Sequence, residues 1–256
     1  AMTDKQAPST VVTERFAEAT AWVIPRVADD VRKGGDTPYL VHLLEVAATV
    51  LAHGGSEDAA IAALLHDAAE DSGGEAVLTE IGEAFGDRVA TTVRACSDSL
   101  VADRSAKDPW WARKVAYIAH LAADDDLDVT LVAAADKLNN VRACRADYAE
   151  VGEDLFDRFN PEAGRAGTLW YYRRVTEVLG AHQLDTRGLV DVLAEEVRGW
   201  WAEVAAANPD VQTEPAPVVR FMEFGESSLN LQVRFWIADA QNGVQNAKSE
   251  VLLRIW

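Results

Sequence analysis

The hexapeptide His66-Asp67-Ala68-Ala69-Glu70-Asp71 carries one imidazole and three carboxylates directly after the apolar pair Leu64-Leu65. Ser56 suits an N-cap, Glu57 and Asp58 suit a first turn, and Ile61, Leu64 and Leu65 recur at the spacing of one buried face. The segment therefore reads as one helix running to Asp71. At about 100° per residue, His66, Asp67, Glu70 and Asp71 fall within an arc of roughly 140°. Three acids so close repel one another unless they are solvated or surround a cation. Solvation accounts for Glu70 and Asp71. It does not account for a His-Asp pair at the end of an apolar run, and a metal site is the better explanation.

Two further residues point the same way. Asp136 follows the run Leu131-Val132-Ala133-Ala134-Ala135 in mid-helix, where an unpaired carboxylate is costly to bury, so it needs a cation. Asn140 lies one turn further on the same face, with Lys137 and Arg142 close by. His42 sits among Val41, Leu43 and Leu44, and taken singly it reads as a satisfied core histidine. Together, His42, His66, Asp67 and Asp136 form a nitrogen and oxygen donor set from three helices. Such a set suits Mn²⁺, Fe²⁺, Zn²⁺ or Mg²⁺, and a metal there lowers the pKa of water and polarises a phosphoryl group.

Helices must present these side chains. The spacing predicts a first helix over 13–31, kinked or broken at Pro25, and a Gly34-Gly35 turn. Thr37 then reads as N-cap and Pro38 as first residue of a helix running to about His53, a helix-end residue favoured by the dipole. Shorter helices follow over 76–85 and 88–97. Asp108-Pro109 opens another, carrying Trp110, Trp111, Arg113, Lys114 and Tyr117, whose tryptophans read as packing. Asp124, Asp125, Asp126 and Asp128 lack the spacing of a calcium loop and read as a solvated cap. Helices over 129–148, around 168–174 and over 189–207 complete a mainly α body. Beyond the linker residues Asn208-Pro209 and Glu214-Pro215-Ala216-Pro217, strands over 218–224 and 229–237 flank a turn, and 244–256 reads as a helix.

The net charge of −18 argues against nucleic-acid binding and would repel an anionic substrate, which must be drawn by a metal and a few local bases. A hydrophobic fraction of 49% is ample for a core, and no apolar run approaches the roughly 18 residues of a membrane span. No basic segment followed by an apolar one is visible, so export is not expected. Cys96 and Cys144 lack ligand spacing and read as buried thiols of a reducing cytoplasm.

The order of motifs resembles the HD superfamily of metal-dependent phosphohydrolases. Arg32-Lys33, Pro38-Tyr39, His42, His66-Asp67-Ala68-Ala69-Glu70-Asp71 and Ala135-Asp136-Lys137-Leu138-Asn139-Asn140-Val141-Arg142 look like the (p)ppGpp hydrolase domain of RelA/SpoT-type proteins, in its small stand-alone form. The resemblance implies an HD-domain helical bundle over 10–207 and Mn²⁺ held by His42, His66, Asp67 and Asp136. Glu70 and Asp71 would handle the attacking water or protonate the leaving oxygen. Arg32, Lys33, Tyr39, Lys137, Asn140 and Arg142 would contact the nucleotide. One apparent extra residue between Arg32 and His42, within Gly34-Gly35-Asp36-Thr37, departs from the pattern. No synthetase domain fits in the remainder, so the expected alarmone chemistry is 3′-pyrophosphate hydrolysis. The alternatives are an HD phosphohydrolase of another phosphorylated nucleotide or dinucleotide, and a nucleotide-binding sensor with little turnover.

A second resemblance covers the tail. Pro215-Ala216-Pro217, Phe224-Gly225-Glu226-Ser227-Ser228-Leu229-Asn230-Leu231 and Val233-Arg234-Phe235-Trp236 look like the C-terminal domain of MscS-type mechanosensitive channels. The expected appendage, 215–256, is a β-hairpin with a helix, and channel function does not transfer. A two-stranded sheet is marginal alone, so it packs on the helical body or on a second copy in a homo-oligomer, or it is a fusion remnant.

Overall fold

The computed structural model describes residues 10–207, 218–224 and 229–234. Thr13 caps α1 (Glu14–Val23), and the chain tightens into a 3₁₀ turn over Ile24–Arg26, so the helix expected to reach residue 31 ends at its proline. The next segment folds back on itself. Val31 and Pro38 form an isolated antiparallel bridge, Arg32 N–H donates to the Thr37 carbonyl at 2.9 Å, and Tyr39 N–H donates to that of Asp30 at 2.8 Å. Pro38 consequently stays extended (φ −54°, ψ 136°) and is itself the N-cap of α2 (Tyr39–Ala52), one residue later than expected. The loop's tip carries Arg32 and Lys33.

Ser56 caps α3 (Glu57–Leu65) by accepting from Ala59 N–H at 3.0 Å, and Ala59 through Leu65 are all buried. The helix expected to run unbroken to Asp71 instead turns at His66-Asp67 before a short α4 (Ala68–Ser72). Gly86, at φ 97°, separates α5 (Glu75–Phe85) from α6 (Asp87–Cys96). The body continues through α7 (Trp110–Ala123), α8 (Leu127–Val151), α9 (Gly164–Ala181) and α10 (Leu189–Ala206). Asp126 caps α8 by accepting from Asp128 and Val129 N–H, and Arg88 pairs with both Asp126 and Asp128. The acidic run is thus a cap, as its spacing predicts.

Helix α3 is central, packed against α1, α2, α6 and α8. Its apolar face merges with that of α8, buried from Val129 to Ala135, into one core. That packing brings the first turn of α2, the end of α3 and the middle of α8 to one point. On the far side of α8, Trp200 of α10 is fully buried against Phe156 and Tyr172.

In the appendage, β1 (Val218–Phe224) and β2 (Leu229–Arg234) form an antiparallel hairpin in which Val218 faces Arg234, with a register shift between Phe221 and Glu223. The expected strand residues 235–237 and the helix over 244–256 lie outside the described residues. Among the described residues, no helix is long and apolar enough to cross a membrane.

Candidate metal centre and substrate cleft

His42 Nε2 lies 3.9 Å from Asp67 Oδ2 and 3.4 Å from Asp136 Oδ1. His66 Nε2 lies 3.0 Å from Asp67 Oδ2 and 3.6 Å from Asp136 Oδ1. The four donors expected from the sequence therefore converge. His42, His66 and Asp67 form the tightest group, and Asp136 faces both imidazoles. The other ring nitrogens fix the tautomers. His42 Nδ1 meets Asn139 Oδ1 at 2.5 Å and His66 Nδ1 meets the Ala63 carbonyl at 2.8 Å. Both acceptors require a protonated Nδ1, which leaves each Nε2 facing the carboxylates, where it can carry a proton or bind a cation. His66 Nε2 is buried and makes no hydrogen bond, a state that a metal ion would relieve.

The electrostatics agree. Burial opposes charge on His66, yet Asp67 and Asp136 raise its imidazole well above the ordinary value. Burial would also raise the Asp67 and Asp136 carboxyls. Beside His66, Asp67 is held far below the usual range, and Lys137 with both imidazoles does the same for Asp136. The cluster draws positive charge, and two imidazole nitrogens with two carboxylates fit a divalent cation. Tyr39 O–H donates to Asp67 Oδ2, while Asn140 Nδ2 (2.5 Å) and Lys137 Nζ donate to the two oxygens of Asp136.

Beyond the turn at His66-Asp67, α4 carries Glu70 and Asp71 to the cavity that Asp67 lines. Glu70 accepts from Asp98 N–H at 3.4 Å and from Lys107 Nζ at 3.3 Å. Burial, reinforced by the Asp98 carboxylate, pushes its carboxyl up to about 7. Asp71 is exposed at the rim of the same cavity, of about 430 Å³, that Asp67, Asp136 and Lys137 line. Two cavities adjoin it. One, of about 260 Å³, lies between Arg32, Tyr39, Cys144, Arg158, Phe159 and Tyr172, and the other is bounded by Lys33, Glu70, Arg113, Lys114, Asn160 and Tyr171. Arg32 is held by Asn139 Oδ1 at 2.7 Å and Asn140 Oδ1 at 3.1 Å. One continuous cleft thus runs past the metal cluster.

A family model described as HD domain matches residues 19–169. The chain belongs to the HD domain family. That membership supports metal-dependent phosphohydrolase chemistry at this cluster. A second family model, of the C-terminal domain of the mechanosensitive ion channel MscS, matches residues 191–256. Among solved structures, a metazoan ortholog of SpoT, described as hydrolysing ppGpp and playing a role in starvation responses, has 23% identity and a TM-score of 0.56, over 73% of this chain and 97% of its own. The crystal structure of lmo0812 from Listeria monocytogenes EGD-e has 23% identity and a TM-score of 0.51, over 62% of this chain and 97% of its own. Both likenesses are of fold. No curated protein matches the sequence.

Within this HD domain, Arg142 stands apart from the other residues expected to contact the nucleotide. Its Nε donates to Glu196 Oε1 of α10 at 3.0 Å, on an exposed surface away from the cleft lining. Two residues past Asn140 is a rotation of about 200°, so the two side chains leave opposite sides of α8. Sequence reasoning also passed over Asn139, Asp98, Lys107, Arg113 and Lys114 as site residues. A signal existed for the last two: adjacent cations at the fourth and fifth positions of α7, near the positive end of its dipole, call for an anionic partner.

Proposed function

We propose that the protein is a Mn²⁺-dependent pyrophosphohydrolase that removes the 3′ diphosphate of an alarmone-like guanosine nucleotide in the cytoplasm. His42, His66, Asp67 and Asp136 hold the cation, which when bound polarises the phosphoryl group and acidifies water. The observation that carries the reading is the convergence of these four donors, with both Nε2 atoms turned toward the two carboxylates, in a cleft that also holds a carboxyl titrating near neutrality. Hydrolysis adds a water oxygen to the phosphorus on the 3′ oxygen. The bond between that phosphorus and the 3′ oxygen breaks, pyrophosphate leaves, and the 3′ oxygen takes a proton. Glu70, half-protonated near pH 7, is suited to accept the proton from water and return it to the 3′ oxygen, with Asp71 ordering the water. Tyr39 steadies Asp67, and Lys137 offsets the charge of Asp136. Arg32, Lys33, Tyr39 and Asn140 line the cavity for the nucleoside. The metazoan SpoT ortholog of similar fold, described as hydrolysing ppGpp, supports the choice of substrate. The helical body over 10–207 is the catalytic unit in this reading.

A panel of 2′-, 3′- and 5′-phosphorylated nucleotides with Mn²⁺, read by phosphate and pyrophosphate release, tests it. Pyrophosphate release from guanosine 3′,5′-bis(diphosphate) is expected. Phosphate release from another nucleotide would keep the HD chemistry and reject this substrate. Absence of turnover across the panel would reject the enzyme.

A further inference from the structure

The Arg32 guanidinium spans two adjacent side chains of α8. Its Nη1 donates to Asn139 Oδ1 at 2.7 Å and its Nη2 to Asn140 Oδ1 at 3.1 Å. Each asparagine in turn reaches a different donor of the metal cluster. Asn139 Oδ1 meets His42 Nδ1 at 2.5 Å, and Asn140 Nδ2 donates to Asp136 Oδ1 at 2.5 Å. That same Asp136 oxygen lies 3.4 Å from His42 Nε2 and 3.6 Å from His66 Nε2. At the other end of its amide, Asn139 Nδ2 donates to Glu45 Oε2.

The direction of these bonds follows from Arg32. A guanidinium has N–H donors and no acceptor, so the atom each asparagine turns toward it must be the oxygen. The amide nitrogens then face away, where Glu45 and Asp136 offer carboxylates that accept. With Asn139 presenting oxygen, His42 carries its proton on Nδ1, and its Nε2 is left for a cation. The carboxylates favour the same sense but do not fix the amides in space, and Glu45 is exposed. Arg32 is half-buried, and its planar fork sets the spacing of the two amides as well as their sense.

We propose that Arg32 is a positioning residue of the metal centre: through Asn139 and Asn140 it orients His42 and Asp136 and so tightens their hold on the cation. This role rests on the metal ligation read above and comes in addition to the nucleotide contact of Arg32. Its sign separates it from a plain charge effect. Removing a cation from the cleft wall by itself favours a bound divalent ion, whereas breaking the fork weakens the binding. Lys33, exposed on the wall of the metal cavity, is the control.

Mn²⁺ titration calorimetry of the full chain, without nucleotide, tests this. Arg32→Ala should bind Mn²⁺ about tenfold more weakly than wild type, and Lys33→Gln equally or more tightly. Arg32→Lys keeps the charge but presents a single point, so it should also bind more weakly than wild type. The double variant Arg32→Ala/Asn139→Ala should lose less than the two single losses combined, since Arg32 acts partly through Asn139. Nitrogen NMR of the metal-free chain, at a pH where the ring is neutral, should show His42 protonated on Nδ1 in wild type and as mixed tautomers in Arg32→Ala. The loop is closed by backbone bonds from Arg32 to Thr37 and from Tyr39 to Asp30, which these loop variants retain. Weaker Mn²⁺ binding at an unchanged Tm is therefore the supporting result. Should Arg32→Ala lose its fold, Arg32→Lys decides alone. Mn²⁺ affinity in Arg32→Ala equal to or above that of wild type, wild-type affinity in Arg32→Lys, or full additivity in the double variant overturns the role. Failure of turnover on every nucleotide would reject the proposed function and leave this titration standing, while absence of Mn²⁺ binding by wild type would overturn both.

Discussion

Asn139 does the least conspicuous work at the metal cluster. Its Oδ1 receives both His42 Nδ1 and Arg32 Nη1, so one amide sets a ligand's tautomer and ties it to the cleft wall. Outer groups of this kind typically contribute about 10–100-fold in metal affinity. Asn139→Ala should weaken Mn²⁺ binding by about that factor, read by metal titration, and equal affinity would remove Asn139 from the scheme. Glu70 gives a prediction of opposite character. Its folded carboxyl titrates near 7, above the ordinary Glu value, so between about pH 4.5 and 7 the folded chain keeps a proton that the unfolded chain releases. That contribution to stability is complete below about pH 4.5 and is lost as pH rises through 7. Metal-free Glu70→Gln should show a flatter fall in Tm over that window than wild type, and parallel profiles would contradict the assignment. The same substitution should reduce turnover by about 10²–10⁴-fold. The candidate metal donors are legible in sequence because each stands against apolar neighbours that give a charge no other reason to be there. Asn139 is not, since an exposed-looking amide among polar neighbours carries no such contradiction.

At the scale of elements, two boundaries moved for tertiary reasons. Nothing in Leu64-Leu65-His66-Asp67-Ala68-Ala69 breaks a helix, neither glycine nor proline, yet the chain turns there. Both residues of the turn keep right-handed helical backbone, so His66 still faces Asp136 of α8 while Asp67, Glu70 and Asp71 line one cavity. Likewise, Pro38 leaves the helix because its bridge to Val31 closes the loop that carries Arg32 and Lys33. That loop depends on Gly34, which has φ 85° and lies beneath the Arg158 guanidinium: a Cβ built there would stand 2.1 Å from Nη1. Arg158 is itself anchored to Asp147 at 2.8 Å. Gly34→Ala should therefore destabilise by about 1–2 kcal/mol from the left-handed backbone alone. It should also raise KM, because displacing Arg158 frees the loop. Urea unfolding and steady-state kinetics check the two effects separately; a stable variant with unchanged KM would show that the loop is held by other contacts.

At the scale of the molecule, the question is where the catalytic body ends. The MscS C-terminal match starts at residue 191, inside α10, whereas the composition of the chain places the linker after residue 207. Packing favours the later boundary. Leu189, Leu193, Val197, Trp200, Trp201 and Val204 of α10 are buried, and the helix lies against α8 and α9, the former carrying Asp136. Ion pairs from Arg145 to Glu196 and Glu203 fasten the same face. At roughly 1.5–3 kcal/mol for each large apolar side chain, burying the six contributes about 9–18 kcal/mol before the entropy cost of ordering them, as an upper estimate. Losing a contribution of that size would exceed the net margin of a typical domain, about 5–15 kcal/mol, so α10 is expected to belong to the helical body. A chain cut after Ala207 should keep its Tm within a few degrees, along with its Mn²⁺-dependent turnover, and should differ from the full chain in sedimentation if the appendage mediates self-association. A chain cut after Gly188 should be insoluble or unfolded by circular dichroism, with the faces of Tyr172 and Phe156 uncovered. Soluble, active protein from the shorter chain would assign α10 to the appendage after all, and loss of turnover in a folded chain ending at Ala207 would show that the appendage shapes the cleft.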